Sequence, residues 1–379
     1  MQSSNYCALP FRGMQIESDG TLSPCCLYKP HLDRQHKHHH VSDYQVWWTQ
    51  HLEPLRNTIS NNQIAAGCSD CVASNSHPLR NISNDFFSRH PRHTPGTSPE
   101  WLGIRFGNFC NLKCMMCTPN NSSQIDQEYN NNTSAYNALN ISYFRNTQIS
   151  ANSMSDAWWE HEETFQQVIN IVNSAKYVNF SGGEPLMMPV FYQMLDNIGS
   201  DCIISINTNL TRLTERAVES FKRFRNITVS ISLDGVGAHQ EYIRWGSTWS
   251  KLDANIRRIA QLNNVKMNFS YLLQHTSVYT WPALWDYLQQ FGKHIDVFPV
   301  YKGTIGNGTL TQNSVVPADM QKFAQWHHNN STPYDAVISQ WINSYNFDPE
   351  LHQHFCSYVS MLDSIRGCDF RATFDPAWQ

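Results

Sequence analysis

The chain is poor in charge. Only 15% of its 379 residues are Asp, Glu, Lys or Arg, against roughly 25% in an average globular protein. What charge there is nearly cancels, 27 basic against 31 acidic residues, for a net charge of −4. Without a basic field or clustered Lys and Arg, no nucleic-acid partner is expected. No apolar run approaches the roughly 18 residues of a membrane span, so no membrane partner is expected either. The opening MQSSNYCALPFRGMQIESDG has neither a basic n-region nor an apolar h-region, so the expectation is a soluble cytoplasmic protein without a signal peptide. Solubility falls to Asn, Ser, Thr and Gln. With 41% hydrophobic and 12% aromatic residues, the chain can still bury a sizeable core, one of barrel size plus a small appendage.

Cysteine, by contrast, is plentiful. Eleven cysteines in a reducing compartment need a purpose other than disulfides. They are grouped: Cys7, Cys25, Cys26, Cys68 and Cys71 early, Cys110, Cys114 and Cys117 together, and Cys202, Cys356 and Cys368 alone. Two groups of thiols read as metal sites. Five histidines between His31 and His40 crowd a polar loop and read as solvated and functionally neutral.

From about residue 100 short β-rich runs alternate with helical stretches. The β-rich runs are 101–109, 176–183, 201–209, 226–235, 265–273 and 294–300, and helical spacing marks 158–175, 213–224, 249–263 and 280–291. Such alternation implies a parallel sheet with crossover helices. The expected fold is α/β: a partial (β/α)6 TIM-like barrel over 96–305, with chemistry at the C-terminal strand ends. Residues 118–157 read as a polar insertion, either a lid or a tolerated loop. Residues 1–95 read as a small Cys-rich domain, a hairpin turning at Asp19-Gly20 followed by a helix with Ser42 as N-cap and a break at Pro54. The stretch 81–100 reads as a linker. A helical extension is expected over 306–379.

Cys110-Asn111-Leu112-Lys113-Cys114-Met115-Met116-Cys117 is a C-x3-C-x2-C run directly after the first barrel strand. Three thiolates on one short loop can hold three corners of a [4Fe–4S] cube and leave its fourth iron open. The alternative is zinc, with Cys68-x2-Cys71 pairing with Cys114-x2-Cys117. The gap of about 42 residues is long for a zinc ribbon, and Cys110 would be left over.

Here the chain resembles the radical S-adenosylmethionine (SAM) superfamily, with Met116 at the apolar position of the signature. Ser181-Gly182-Gly183-Glu184-Pro185, ending the second strand, is similar to the family's GGE motif, whose glycines admit the cofactor and whose Glu184 suits the SAM amino group. Asn207-Thr208-Asn209 and Ser232-Leu233-Asp234-Gly235 end the next two strands. The resemblance implies that Asn209, Ser232 and Asp234 lie along the cofactor. Tyr242-Ile243-Arg244-Trp245-Gly246 resembles a stretch of peptide-modifying members, with Arg244 toward the SAM carboxylate.

The resemblance implies an oxidoreductase-like enzyme that binds SAM at the open iron and cleaves it reductively to a 5′-deoxyadenosyl radical. That radical would abstract hydrogen from a peptide or small-molecule substrate, with the electron supplied by an external reductant of the flavodoxin or ferredoxin type. CALPFRGMQIESDGTLSPCC resembles the opening of the twitch domain, a shortened relative of the SPASM domain. That implies a second, auxiliary [4Fe–4S] cluster held by Cys7, Cys25, Cys68 and Cys71, with Cys26 an alternative to Cys25. The same sulfurs would equally satisfy zinc. Cys202 reads as a core thiol. Cys368, where the resemblance places no cysteine, is a candidate catalytic thiol that returns a hydrogen atom to the product radical. The competing class is a non-catalytic zinc-binding or interaction protein on a degenerate barrel.

Overall fold

The computed structural model describes residues 5–29, 32, 39–69, 71, 78–139, 157–292, 294–299 and 308–374. His31, His36 and His38, and residues 140–156 of the polar insertion, lie outside the described residues. The strands in chain order are β1 (Gly13–Ile16), β2 (Leu22–Ser23), β3 (Trp101–Arg105), β4 (Lys113–Cys114) and β5 (Tyr177–Ser181), then β6 (Ile203–Thr208), β7 (Ile227–Ser232), β8 (Arg244–Trp245), β9 (Val265–Leu273) and β10 (His294–Pro299). The fold is mixed α/β with a mostly parallel sheet of eight strands. The expected partial-barrel alternation is present: all six β-rich runs form strands, and helices separate them.

The chain divides into two compact units. The first comprises Met1–Gly107, Ser150–Asn207 and Glu215–Thr228. Its strand order runs β2-β1-β3-β5-β6. β1 and β2 form the antiparallel hairpin expected around Asp19-Gly20. β1 also joins β3 in parallel, with Gly13 opposite Trp101 and Ile16 opposite Ile104, so the N-terminal hairpin extends the barrel's own sheet. β5 alternates buried Val178 and Phe180 with half-buried neighbours, the period-2 pattern of a strand. The helix Glu162–Ser174 opens on two glutamates, favoured by the helix dipole, and buries Val168, Ile169, Ile171 and Val172.

Two local expectations change here. His40, not Ser42, caps the turn Val41–Asp43: its ring nitrogen accepts from the Ser42 amide, and a bridge to Thr21 pins His40 in place. Residues 81–86 of the expected linker belong to a helix, Pro78–Phe86. Proline starts it, and it is held where Phe86 packs edge-on against Trp101 at 5.3 Å.

The second unit comprises Asn108–Ile149, Thr208–Thr214 and Val229–Gln379. β9 and β10 pair in parallel, and β4 and β8 form a two-residue antiparallel ribbon. The insertion is partly helical, over Ser123–Asn131 and Thr133–Ala138, because Ser122 caps the first helix and Ile125 and Tyr136 bury themselves. The C-terminal extension closes with the short helix Phe370–Phe374, and its longer helices are Pro317–Asn329, Asp335–Asn343 and Pro349–Arg366. The last starts at Asp348, whose carboxylate accepts from the Glu350 and Leu351 amides. It stops at Gly367, which takes the left-handed conformation at φ +66°. Its Phe355, Tyr358, Val359 and Leu362 share one apolar cluster with Leu112, Met115 and Met116 of the cysteine loop.

Candidate cluster and cofactor site

The loop carrying Cys110, Cys114 and Cys117 is tied at many points within the second unit. Cys114 lies in β4, opposite Arg244 of β8. The Met115 amide donates to the Ile243 carbonyl at 2.9 Å, and the Cys117 amide to the Cys114 carbonyl at 3.0 Å. Ser122 Oγ donates to the Leu112 carbonyl at 2.6 Å, and Asn108 Nδ2 to the Pro119 carbonyl at 2.8 Å. From the C-terminal helix, Tyr358 Oη donates to the Met115 carbonyl at 2.6 Å. Such cross-bracing holds three sulfurs in one place before any ligand arrives.

The sulfurs are buried yet partnered. Cys110 is 8% exposed and Cys114 3%. Arg244 Nη1 points at Cys114 Sγ from 3.7 Å, and Asn209 Nδ2 at Cys110 Sγ from 3.8 Å. The hydrogen bond from Cys117 draws the Cys114 thiol below its ordinary value, with Arg244 assisting and burial opposing. Cys117, as the donor of that bond and buried as well, is pushed up. The loop therefore presents soft sulfur ligands beside fixed donors, which is how a protein tunes a thiolate-held cluster.

Arg244 is itself held. Its Nε donates to Asp234 Oδ2 at 2.7 Å, while Asp234 Oδ1 accepts from the Leu272 amide at 2.9 Å. Both side chains are nearly or wholly buried, so the Arg244 charge is compensated where it stands. Asn209 uses its Oδ1 for the Thr211 amide and hydroxyl at 2.9 and 2.7 Å, which aims its Nδ2 at the loop. Ser232 ends β7 half-buried, its carbonyl accepting from Gln240 Nε2. Met116 is 5% exposed and packs in the apolar cluster under the loop.

Gly182, Gly183 and Glu184 follow β5 in the first unit. Both glycines adopt positive φ, +83° and +49°. A Cβ at Gly182 would stand 3.0 Å from Arg105 Cβ and 3.1 Å from the Gly107 carbonyl, so only glycine fits there. Glu184 is buried and caps the turn Pro185–Met187 by accepting from the Leu186 amide at 3.1 Å.

The early cysteines, also in the first unit, separate cleanly. Cys7, Cys25, Cys68 and Cys71 line one cavity of about 40 Å³, with Arg80 in its wall. Cys26 does not line that cavity, and it is exposed. The two lie in the bend and turn that follow β2, where the Tyr28 amide donates to the Cys25 carbonyl at 3.3 Å, and of the two it is Cys25 that lines the cavity. Burial raises the Cys25 thiol and lifts that of Cys7 to about 12. Among the described residues, no three His, Cys, Asp or Glu side chains stand at the spacing of a single metal ion. Four sulfurs around one cavity are the donor set of either a cube with a ligand at each corner or a single zinc.

Sequence reasoning missed three residues bearing on the loop. Glu128 and Arg366 form a buried pair at 2.8 Å, with side chains 1% and 2% exposed. Tyr136 donates to Glu128 at 2.8 Å, and Lys113 of the loop stands 3.4 Å from it. Tyr358 is the third. None carries a local signal, because their partners are up to 243 residues away.

Residues 104–276 match the family model of the radical SAM superfamily. That segment is a radical SAM domain. It contains Cys110, Cys114, Cys117, Gly182–Glu184, Asn209, Ser232, Asp234 and Arg244, and leaves outside it the early cysteines and Cys356 and Cys368. A radical SAM domain works with a [4Fe–4S] cluster and SAM, and the cross-braced, donor-flanked thiols fit that cluster. No curated protein matches the sequence. Among solved structures the chain is similar to native anSMEcpe with bound AdoMet, at 18% identity over 66% of this chain and 64% of that one, TM-score 0.39. It is also similar to Streptococcus suis SuiB bound to S-adenosylmethionine, at 13% identity over 81% and 61%, TM-score 0.39. For SuiB bound to its precursor peptide SuiA the values are 11%, 93% and 76%, TM-score 0.38. The chain spans less than two thirds of the first two of these proteins. No helix among the described residues is long and apolar enough to cross a membrane.

Proposed function

We propose that this protein is an enzyme that reductively cleaves SAM and uses the resulting radical to take hydrogen from a peptide or protein side chain. A small metabolite is the second substrate class. The carrying observation is the cysteine loop: three sulfurs on one braced segment, flanked by Arg244 and Asn209 aimed at two of them. When bound, the cluster and SAM supply the one-electron cleavage that no side chain can perform.

Everything else falls to the chain. Cys110, Cys114 and Cys117 hold three irons. Arg244, locked by Asp234, offsets thiolate charge. Gly182 and Gly183 let the backbone approach a ligand, and Glu184 offers a carboxylate for the SAM amine. The peptide reading rests on the likeness of Tyr242-Ile243-Arg244-Trp245-Gly246 to peptide-modifying members. The electron comes from an external flavodoxin- or ferredoxin-type donor. The test is anaerobic incubation with dithionite and SAM: 5′-deoxyadenosine is the expected product, and its absence from cluster-loaded protein contradicts the reading.

The four cysteines around the small cavity hold an auxiliary [4Fe–4S] cluster, with Cys25 rather than Cys26 as ligand. Cys25→Ala is expected to lose about four irons per chain and Cys26→Ala none. Equal loss in both variants, or loss only in Cys26→Ala, overturns that choice.

Cys368 serves as the hydrogen-atom donor. Burial and the acceptor Asp363 Oδ1, 3.3 Å away, push its thiol up to about 12, so the S–H bond is intact at neutral pH. Cys368→Ala is expected to leave SAM cleavage unchanged and stall product formation. Unchanged product yield removes the role.

A further inference from the structure

A second cavity, of about 480 Å³, lies in the second unit, and the helix Pro349–Arg366 contributes His352 and Cys356 to its wall. One helical turn separates the two, placing them on one face. His352 Nδ1 stands 2.9 Å from the Ser314 carbonyl. A carbonyl only accepts, so Nδ1 carries the proton and donates, and in the neutral ring Nε2 is the bare nitrogen. That nitrogen faces Cys356 Sγ at 3.5 Å. Nucleophile, base and orienting group stand in the order that activates a thiol.

The orienting carbonyl is firmly placed. Ser314 is fully buried, and its turn is tied to the helix start by the Asp348 amide donating to the Asn313 carbonyl at 2.9 Å. Of the other ionisable groups of the wall, His275, Tyr279, Asp319, Asp363 and Asp369 are engaged elsewhere, Asp369 by the Ala372 amide, which donates to its Oδ1 at 3.0 Å. His275 stacks on Phe355 at 3.4 Å and contacts Ser314 Oγ through Nδ1, and burial holds it neutral. Tyr279 donates to Asp319, and Asp363 accepts from Tyr242, Cys368 and the Phe370 amide. Cys356 is exposed, and the same wall carries Arg371 beside the carboxylates of Asp319, Asp363 and Asp369.

We propose that His352 and Cys356 form a thiol–imidazole pair that exchanges with low-molecular-weight disulfides, the mixed disulfide being seated in this cavity. His352 Nε2 takes the Cys356 proton, and Sγ attacks one sulfur of the incoming disulfide. An S–S bond forms to Cys356 as the original one breaks. The departing thiolate collects the proton from His352, so the protein thiol is oxidised and the small disulfide reduced. Cys368, in the same cavity, keeps its proton on sulfur because it donates to Asp363, and takes no part. The proposal is independent of SAM chemistry.

The test uses the full chain, cluster-loaded and anaerobic, with oxidised glutathione as probe and peptide mapping of acid-quenched samples as readout. Cys356 is expected to become the glutathionylated position while Cys368 stays free. His352→Asn retains a donor for the Ser314 carbonyl but removes Nε2, and is expected to slow the reaction about tenfold. Its pH profile should move to that of an unassisted thiol. Unchanged melting temperature identifies the loss as chemical, and if the Asn variant melts early, His352→Gln replaces it. An unchanged rate and pH profile in the folded variant, or modification of Cys368 before Cys356, overturns the proposal.

Discussion

Cys114→Ala is expected to abolish 5′-deoxyadenosine formation and remove about four irons per chain. Cys114 is the most deeply buried of the three sulfurs and the one Arg244 faces, so no water or neighbouring thiol can substitute at its corner. The fold should survive. Cys114 meets β8 through its backbone, and the loop remains tied by Ser122, Asn108 and Tyr358. Chromatographic detection of the nucleoside, paired with a thermal melt, reads both effects. Residual cleavage above a tenth of the wild-type rate would mean that the triad is not the cluster's anchor.

Asp234→Ala is expected to carry the largest stability cost, about 3–5 kcal/mol, because it strands a buried guanidinium. Arg244 Nε loses its only carboxylate partner in the described contacts, and the Leu272 amide loses its acceptor. Removing the charge as well, in Asp234→Ala/Arg244→Met, should recover part of that loss. A denaturant titration of the four proteins of this cycle measures the coupling directly. If the double variant is no more stable than Asp234→Ala, the pair is not what holds this corner of the fold.

What could be read from the sequence was what repeats locally. Val178 and Phe180 alternate with half-buried neighbours, and Glu162–Ser174 buries residues at helical spacing, so those elements show in the chain itself. The cysteine triad is legible for the same reason: its ligands lie within eight residues. Long-range pairings are not written that way. That β1 lines up beside β3 depends on register between segments about 90 residues apart. The brace on the loop depends on Tyr358, Glu128 and Arg366, single polar residues in helices whose neighbours say nothing about their partners. The choice of Cys25 over Cys26 is intermediate. The expectation rests on strand alternation, but the pair lies in a bend and turn after β2, and only the fold shows that Cys25 lines the cavity while Cys26 is exposed. The insertion misled through composition, since a few apolar residues such as Ile125 and Tyr136 sufficed to dock a helix that its Asn content disguised.

The most direct test of the central claim is metal analysis of the anaerobically purified protein beside the Cys110/Cys114/Cys117→Ala triple variant, with iron, acid-labile sulfide and zinc measured per chain. About eight irons in the wild type falling to about four in the variant is the predicted result, one [4Fe–4S] cluster on the triad and one on the early cysteines. Zinc without iron, persisting after anaerobic reconstitution, would contradict it.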